Sequence, residues 1–145
     1  MARTYCKAVD YVEKLSARIN TMHDICPVVL LKFNTNFERG GSAVLMSRIS
    51  DMYIELDIPH NYRFGNVHFA CMLVHEYCHY IDALTMSGRE RSLNIARYLN
   101  DSTYKQSEER RNWTATKRLA KKLDLWNKQF YNASLEYHYT TALQF

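Results

Sequence analysis

Residues 75–79 read HEYCH, and side chains of these types at this spacing can bind and use a metal ion. On a helix, His75 and His79 project from one face, so both imidazoles can reach one ion at about 2.0–2.1 Å. Glu76 lies about 100° further around the helix, where it can act as a base on a water molecule instead of binding the metal. Because Glu76 is the only formally charged residue within 66–81, the motif is expected on an apolar helix.

A catalytic zinc site needs a third protein ligand and one open position. The candidates after the motif are Asp82, Glu90, Asp101, Glu108, Glu109, Asp124, Glu136 and His138. Asp82 follows His79 by about one turn of the same helix, so its side chain is badly placed to bind the same ion. It is expected instead to contact a ligand and hold it in position. The better source is a predicted helix over 105–123.

Helical phase does not choose between Glu108 and Glu109, since each lies about 50° from the centre of the apolar stripe of that helix. Asn112 lies one turn after Glu108 on the same face and can hold a ligand in position. We therefore expect Glu108 as the third ligand, with Glu109 as the alternative. The alternative is that neither carboxylate binds a metal. Both would then be explained by their place near the start of the helix, where the macrodipole stabilises negative charge.

Apolar periodicity and turn residues predict the elements that must position these side chains. Helices are predicted at 4–22, 66–84, 89–100, 105–123 and 125–142, and strands at 28–33, 42–49 and 52–58. Residues 59–65 are a predicted loop, with Asn66 as the N-cap of the motif helix. The alternating strand 52–58 indicates a half-buried strand of an antiparallel sheet, either internal or at an edge open to an extended peptide.

This order predicts an α+β domain in which a small, mainly antiparallel sheet packs on the HExxH helix and the C-terminal half is helical. The 145 residues suit one domain spanning 1–145. With 47% apolar and 23% charged residues, the composition is ordinary for a globular protein. The absence of a long apolar run or of a signal-peptide core predicts a cytoplasmic protein with no membrane contact.

Residues 105–128 hold eight basic and three acidic residues. Arg110, Lys117, Arg118, Lys121 and Lys128 are expected opposite the apolar stripe. A solvated helix face explains this pattern. The alternative is a face that contacts the phosphates of nucleic acid.

The segments HEYCHYID and EERRNWTA resemble the gluzincin metallopeptidases, and within them the ImmA/IrrE type. Glu108, Asn112 and Ala115 fall on the pattern of that family, and the resemblance covers roughly residues 42–123. It implies a zincin-like fold, a bound Zn²⁺ and endopeptidase activity on an intracellular protein, such as a transcriptional regulator. It also implies a bacterial, phage or mobile-element source. A weaker resemblance to SprT-like proteases of DNA-bound proteins would require His138 as the third ligand.

Peptide hydrolysis in such a site predicts Glu76 as general base. Tyr137, His138 and Tyr139 are candidate oxyanion donors by side-chain type alone, but each is expected to be a packing or surface residue. His68, seven residues before His75, is expected in the core or the cleft wall and not as a ligand. The alternative from another class is a nucleic-acid-binding or adaptor protein that holds a metal without catalysis. A purely structural site would need no base such as Glu76.

Overall fold

The computed structural model describes residues 2–33, 41–62 and 65–142. Its elements in chain order are α1 (Ala2–His23), β1 (Val28–Lys32), β2 (Gly41–Val44), β3 (Tyr53–Asp57), α2 (Ile58–Tyr62), α3 (Asn66–Leu84), α4 (Gly88–Asn100), α5 (Ser102–Lys122) and α6 (Lys128–Ala142). The α+β architecture and the helical C-terminal half are as the sequence predicts. Among the described residues, no helix combines the length and apolar character needed to cross a bilayer.

The three strands form a mixed sheet in the order β1-β3-β2, which corrects the prediction of a mainly antiparallel sheet. β3 runs parallel to β1 and antiparallel to β2. An alternating pattern marks a strand with one buried face, but it does not encode the direction of the neighbouring strands. Because β3 lies between β1 and β2, it is internal and cannot add an extended peptide.

The motif helix α3 is the centre of the molecule and contacts α1, α5, α6, β2 and β3. Its side chains Phe69, Leu73 and Tyr77 are almost completely buried. Burial of each such side chain contributes about 1.5–3 kcal/mol. The HExxH motif therefore lies on a helix that is packed by other elements on several sides.

The start of α3 and the segment before it differ from the predictions. Gly65 precedes α3 with φ 89°, a left-handed conformation that favours glycine, and no side chain caps this end. The prediction of Asn66 as N-cap is therefore wrong, since Asn66 is already the first helical residue. α2 replaces the last residue of the predicted strand 52–58 and the first part of the predicted loop 59–65.

A buried arginine joins three parts of the chain near the start of α4. Arg91 donates hydrogen bonds to the backbone carbonyl oxygens of Met46 and Ser47, which follow β2. It also donates to the carbonyls of Ala83 and Met86 at the end of α3. One guanidinium thus fastens α4 and the segment after β2 to the end of the motif helix.

Candidate metal centre

Two helices bring three potential metal ligands together. His75 and His79 project from α3 with ring centroids 4.8 Å apart and planes nearly perpendicular. Glu109 reaches them from α5, with Oε2 at 3.3 Å from Nε2 of His75 and Oε1 at 3.3 Å from Nε2 of His79. One ligand atom from each of the three lies within 4.8 Å of the others, so a single ion can contact all three.

The structure places Glu109, and not the preferred Glu108, beside the two histidines. Arg111 donates to the carboxylate of Glu108 and, at 2.7 and 2.9 Å, to both oxygens of Asp82. Asp82 therefore pairs with an arginine, and no described contact joins it to His79. The structure thus favours the alternative, Glu109, over Glu108 as the third ligand, whereas the charge of Asp82 still acts on His79 and helps to raise its pKa.

The packing of α5 explains why Glu109 faces the histidines. The buried residues of this helix are Glu109, Asn112, Thr116, Leu119 and Ala120. Their three- and four-residue spacing continues the apolar stripe back through Asn112 to Glu109. The same spacing reaches Glu108 as well as Glu109 from Asn112, so it is the packing of α5 on α3 that selects Glu109.

The ring of His75 is held from several sides by residues of α5. The indole of Trp113 stacks on it, with centroids 3.9 Å apart and planes 24° from parallel. Asn112 donates to the backbone carbonyl of His75 at 3.0 Å, and its Nδ2 lies 3.1 Å from the ring Nδ1. Oγ1 of Thr116 lies 3.3 Å from the same ring nitrogen. Asn112 thus contacts a histidine, although the sequence predicted that it would hold Glu108.

The three groups also shift each other's proton affinities. Burial alone would raise the pKa of Glu109, but hydrogen bonds and charge from His75 and His79 hold that pKa far below its usual value. Burial alone would lower the pKa of His79, but the hydrogen bond and charge of Glu109 raise it above its ordinary value. The carboxylate is therefore ionised at neutral pH, as a metal ligand must be.

Glu76 is buried and lines the same cleft as His75, His79 and Glu109, without joining their cluster. Gly41 at the start of β2 lies against it. A Cβ at position 41 would be 3.3 Å from Cγ of Glu76 and 3.1 Å from the carbonyl oxygen of Glu55. The glycine lets β2 approach the carboxylate closely, which leaves Glu76 beside an edge strand and next to both histidines.

The cleft has a volume of about 320 Å³ and lies between β2, α3, α4 and α5. Its lining includes the apolar side chains of Leu45, Met72, Met86 and Ile95 around the polar cluster. A concave apolar site with a few convergent polar groups is the usual form of a binding site.

Tyr98 is a part of the site that the sequence did not indicate. It lines the cleft from α4, and its hydroxyl donates to Oε1 of Glu109. It shares a helix face with Arg91, Asn94 and Ile95, which also line the cleft. This face identifies Tyr98 as a site residue only when the position of α4 beside the cleft is known.

The other candidate ligands lie away from this cluster. Glu90 forms a capping box with Ser87 at the start of α4, and Asp101 caps α5. Asp124 is exposed beyond the end of α5.

Glu136 is also exposed, with its carboxylate 3.9 Å from Nε2 of His68. His68 is buried, as expected for a core residue. Tyr137, His138 and Tyr139 lie outside the residues whose side chains are described.

Most basic residues of α5 lie on its exposed side. Arg110, Lys117, Arg118 and Lys121 are exposed, and so is Lys128 at the start of α6. Within the described part of the chain, none of these five forms an ion pair. The amine of Lys117 lies 5.1 Å from the centre of the Trp126 ring. A solvated face and a nucleic-acid contact both fit this arrangement.

Binding to DNA at increasing salt separates these two hypotheses. If the face contacts phosphates, the wild type should bind DNA with an affinity that falls steeply with salt. The triple change Lys117→Glu, Lys121→Glu and Lys128→Glu should reduce both the affinity and the salt dependence. A lack of binding by the wild type at low salt would leave only the solvated face.

Comparison with models of known protein families, with curated proteins and with solved structures finds no match for this chain.

Proposed function

We propose that this protein is a zinc-dependent endopeptidase with a zincin-like site. The observation that carries the proposal is the cluster of His75, His79 and Glu109, with the buried carboxylate of Glu76 in the same cleft. Two imidazoles and one carboxylate suit a catalytic zinc ion, which takes three protein ligands and keeps one position open. The resemblance of HEYCHYID to the gluzincins points to the same chemistry, whereas Glu109 lies one residue after the position on which the resemblance of EERRNWTA rests.

A zinc ion held by His75, His79 and Glu109 would supply Lewis acidity, which polarises a peptide carbonyl and acidifies water. Glu76 acts as the general base and removes a proton from the attacking water. It then delivers that proton to the leaving nitrogen as the C–N bond breaks. Glu76 is thereby restored, and one water is consumed for each peptide bond cleaved.

The shape of the cleft favours an extended polypeptide as the substrate. Among the described residues, β2 pairs only with β3, so its other edge offers backbone groups to a chain that lies in the cleft. Gly41, Ser42 and Ala43 of this strand line the cleft on the side of Glu76. An extended peptide paired with β2 would pass beside the three ligands.

Two other functions use the same ligands and differ in measurable ways. Two histidines and a carboxylate also bind iron(II) in oxygenases, and an adaptor protein could hold a metal without catalysis. The buried carboxylate of Glu76 beside the cluster favours hydrolysis over both. The intracellular protein substrate, a transcriptional regulator for example, rests on the resemblance alone.

Elemental analysis together with a peptide-library digest tests the proposal. Wild-type protein should contain about one zinc per chain, and the double change His75→Ala/His79→Ala should remove it. Zinc-loaded wild type should cleave a proteome-derived peptide library, whereas the double variant should not. Iron in place of zinc, or full metal retention by the double variant, would contradict the proposal.

A further inference from the structure

Thr116 lies behind His75 on the side away from the other ligands, and its side chain is completely buried. Its hydroxyl donates to the carbonyl oxygen of Asn112 at 2.8 Å. Its Oγ1 also lies 3.3 Å from Nδ1 of His75. Because a hydroxyl has one proton and two lone pairs, a hydroxyl whose proton is directed to a carbonyl offers an acceptor to the ring nitrogen.

Asn112 also lies against this nitrogen, but it offers a donor. Its amide nitrogen donates to the carbonyl of His75 at 3.0 Å, which fixes the orientation of the amide. The same nitrogen, 3.1 Å from Nδ1, has no lone pair to accept a proton. When Nδ1 carries a proton, Thr116 and not Asn112 is therefore the suitable partner.

The position of the ring proton decides which nitrogen of His75 is available to a metal. A neutral imidazole has one N–H, and only the other nitrogen has a lone pair for an ion. Nε2 of His75 faces Glu109, as does Nε2 of His79. A metal shared by the three residues therefore requires the proton of His75 on Nδ1.

We propose that Thr116 is a positioning residue that selects the metal-binding tautomer of His75. Its hydroxyl oxygen accepts the proton on Nδ1 and so leaves the lone pair of Nε2 directed at the shared ion. Partners of this kind behind a histidine ligand contribute about 10–100-fold to metal affinity or activity. The inference rests on the proposed zinc centre.

Zinc affinity, measured by competition with a chromophoric chelator, tests this role in three variants. Thr116→Val keeps the shape of the side chain and should weaken zinc binding by about 10–100-fold. Thr116→Ser keeps the hydroxyl and should bind almost as tightly as the wild type. Thr114→Val is the matched control, since the hydroxyl of Thr114 makes the same bond to a carbonyl four residues back, at 3.1 Å, on the exposed side of α5.

Imidazole ¹⁵N–¹H spectra of the zinc-loaded wild type report which nitrogen of His75 carries the proton. A role of Thr116 in packing alone would not determine that position. The expected spectrum has the His75 proton on Nδ1 and zinc on Nε2, whether or not the variants fold. Attachment of zinc through Nδ1, or equal affinity of Thr116→Val and Thr114→Val, would overturn the role of Thr116. A wild type that binds no zinc would instead overturn the proposed function.

Discussion

Replacing Glu109 with alanine is expected to weaken zinc binding by more than about 100-fold, because a lost ligand should cost more than the 10–100-fold of a lost supporting contact. Glu109 is buried and contacts both Nε2 atoms, whereas the neighbouring Glu108 pairs with Arg111. Glu108→Ala should therefore bind zinc like the wild type. Chelator competition on the two variants measures the difference.

Glu108→Ala is a close control for Glu109→Ala, because the two carboxylates are adjacent in the sequence and lie on the same helix. Glu109→Gln adds a variant of nearly equal shape that replaces the anionic oxygens with a neutral amide, and it should also bind zinc weakly. Loss of zinc from Glu108→Ala with retention by Glu109→Ala would move the third ligand by one residue. Retention by both would place the third ligand elsewhere in the chain.

Glu76→Gln is expected to lower the turnover number by about 10²–10⁴-fold, the usual contribution of a general base. Zinc content should not change, because Glu76 lies outside the cluster of His75, His79 and Glu109. The rate is measured on a peptide that the zinc-loaded wild type cleaves in the library digest. The zinc content of the same sample shows whether the metal is still bound.

Glu108→Gln is the matched control for this variant, since Glu108 also lines the cleft but pairs with Arg111. It should keep most of the wild-type rate. If Glu76→Gln lost its zinc, Glu76 would be a ligand and not a base. An unchanged rate with zinc bound would mean that another group removes the proton.

The fold was predictable from the sequence where local patterns determine it. Periodic apolar residues and turn residues gave α1, α4 and α5 to within a few residues. The direction of β1 relative to β3 was not predictable, because pairing depends on the path of the chain between distant segments. The helix at Ile58–Tyr62 was missed because five residues are too few for a periodic pattern.

For the candidate site, too, residues on one helix were predictable from local spacing, whereas residues from other helices were not. His75, Glu76 and His79 lie on one helix, so their spacing alone indicates how they are arranged. Glu109 comes from a second helix, and choosing it over Glu108 requires knowing which side of α5 packs on α3. Tyr98 comes from a third helix, and no local pattern distinguishes it from other tyrosines.

The bonds of Arg91 have a consequence for how the cleft can change by mutation. All four acceptors are backbone carbonyls, so the side chains of Met46, Ser47, Ala83 and Met86 take no part in them. Of these four residues, Ala83 and Met86 line the cleft, and their side chains can be exchanged while Arg91 holds the backbone beneath them, provided that the new side chains fit. The chemistry of this part of the cleft wall can therefore diverge, by evolution or by design, without loss of its architecture.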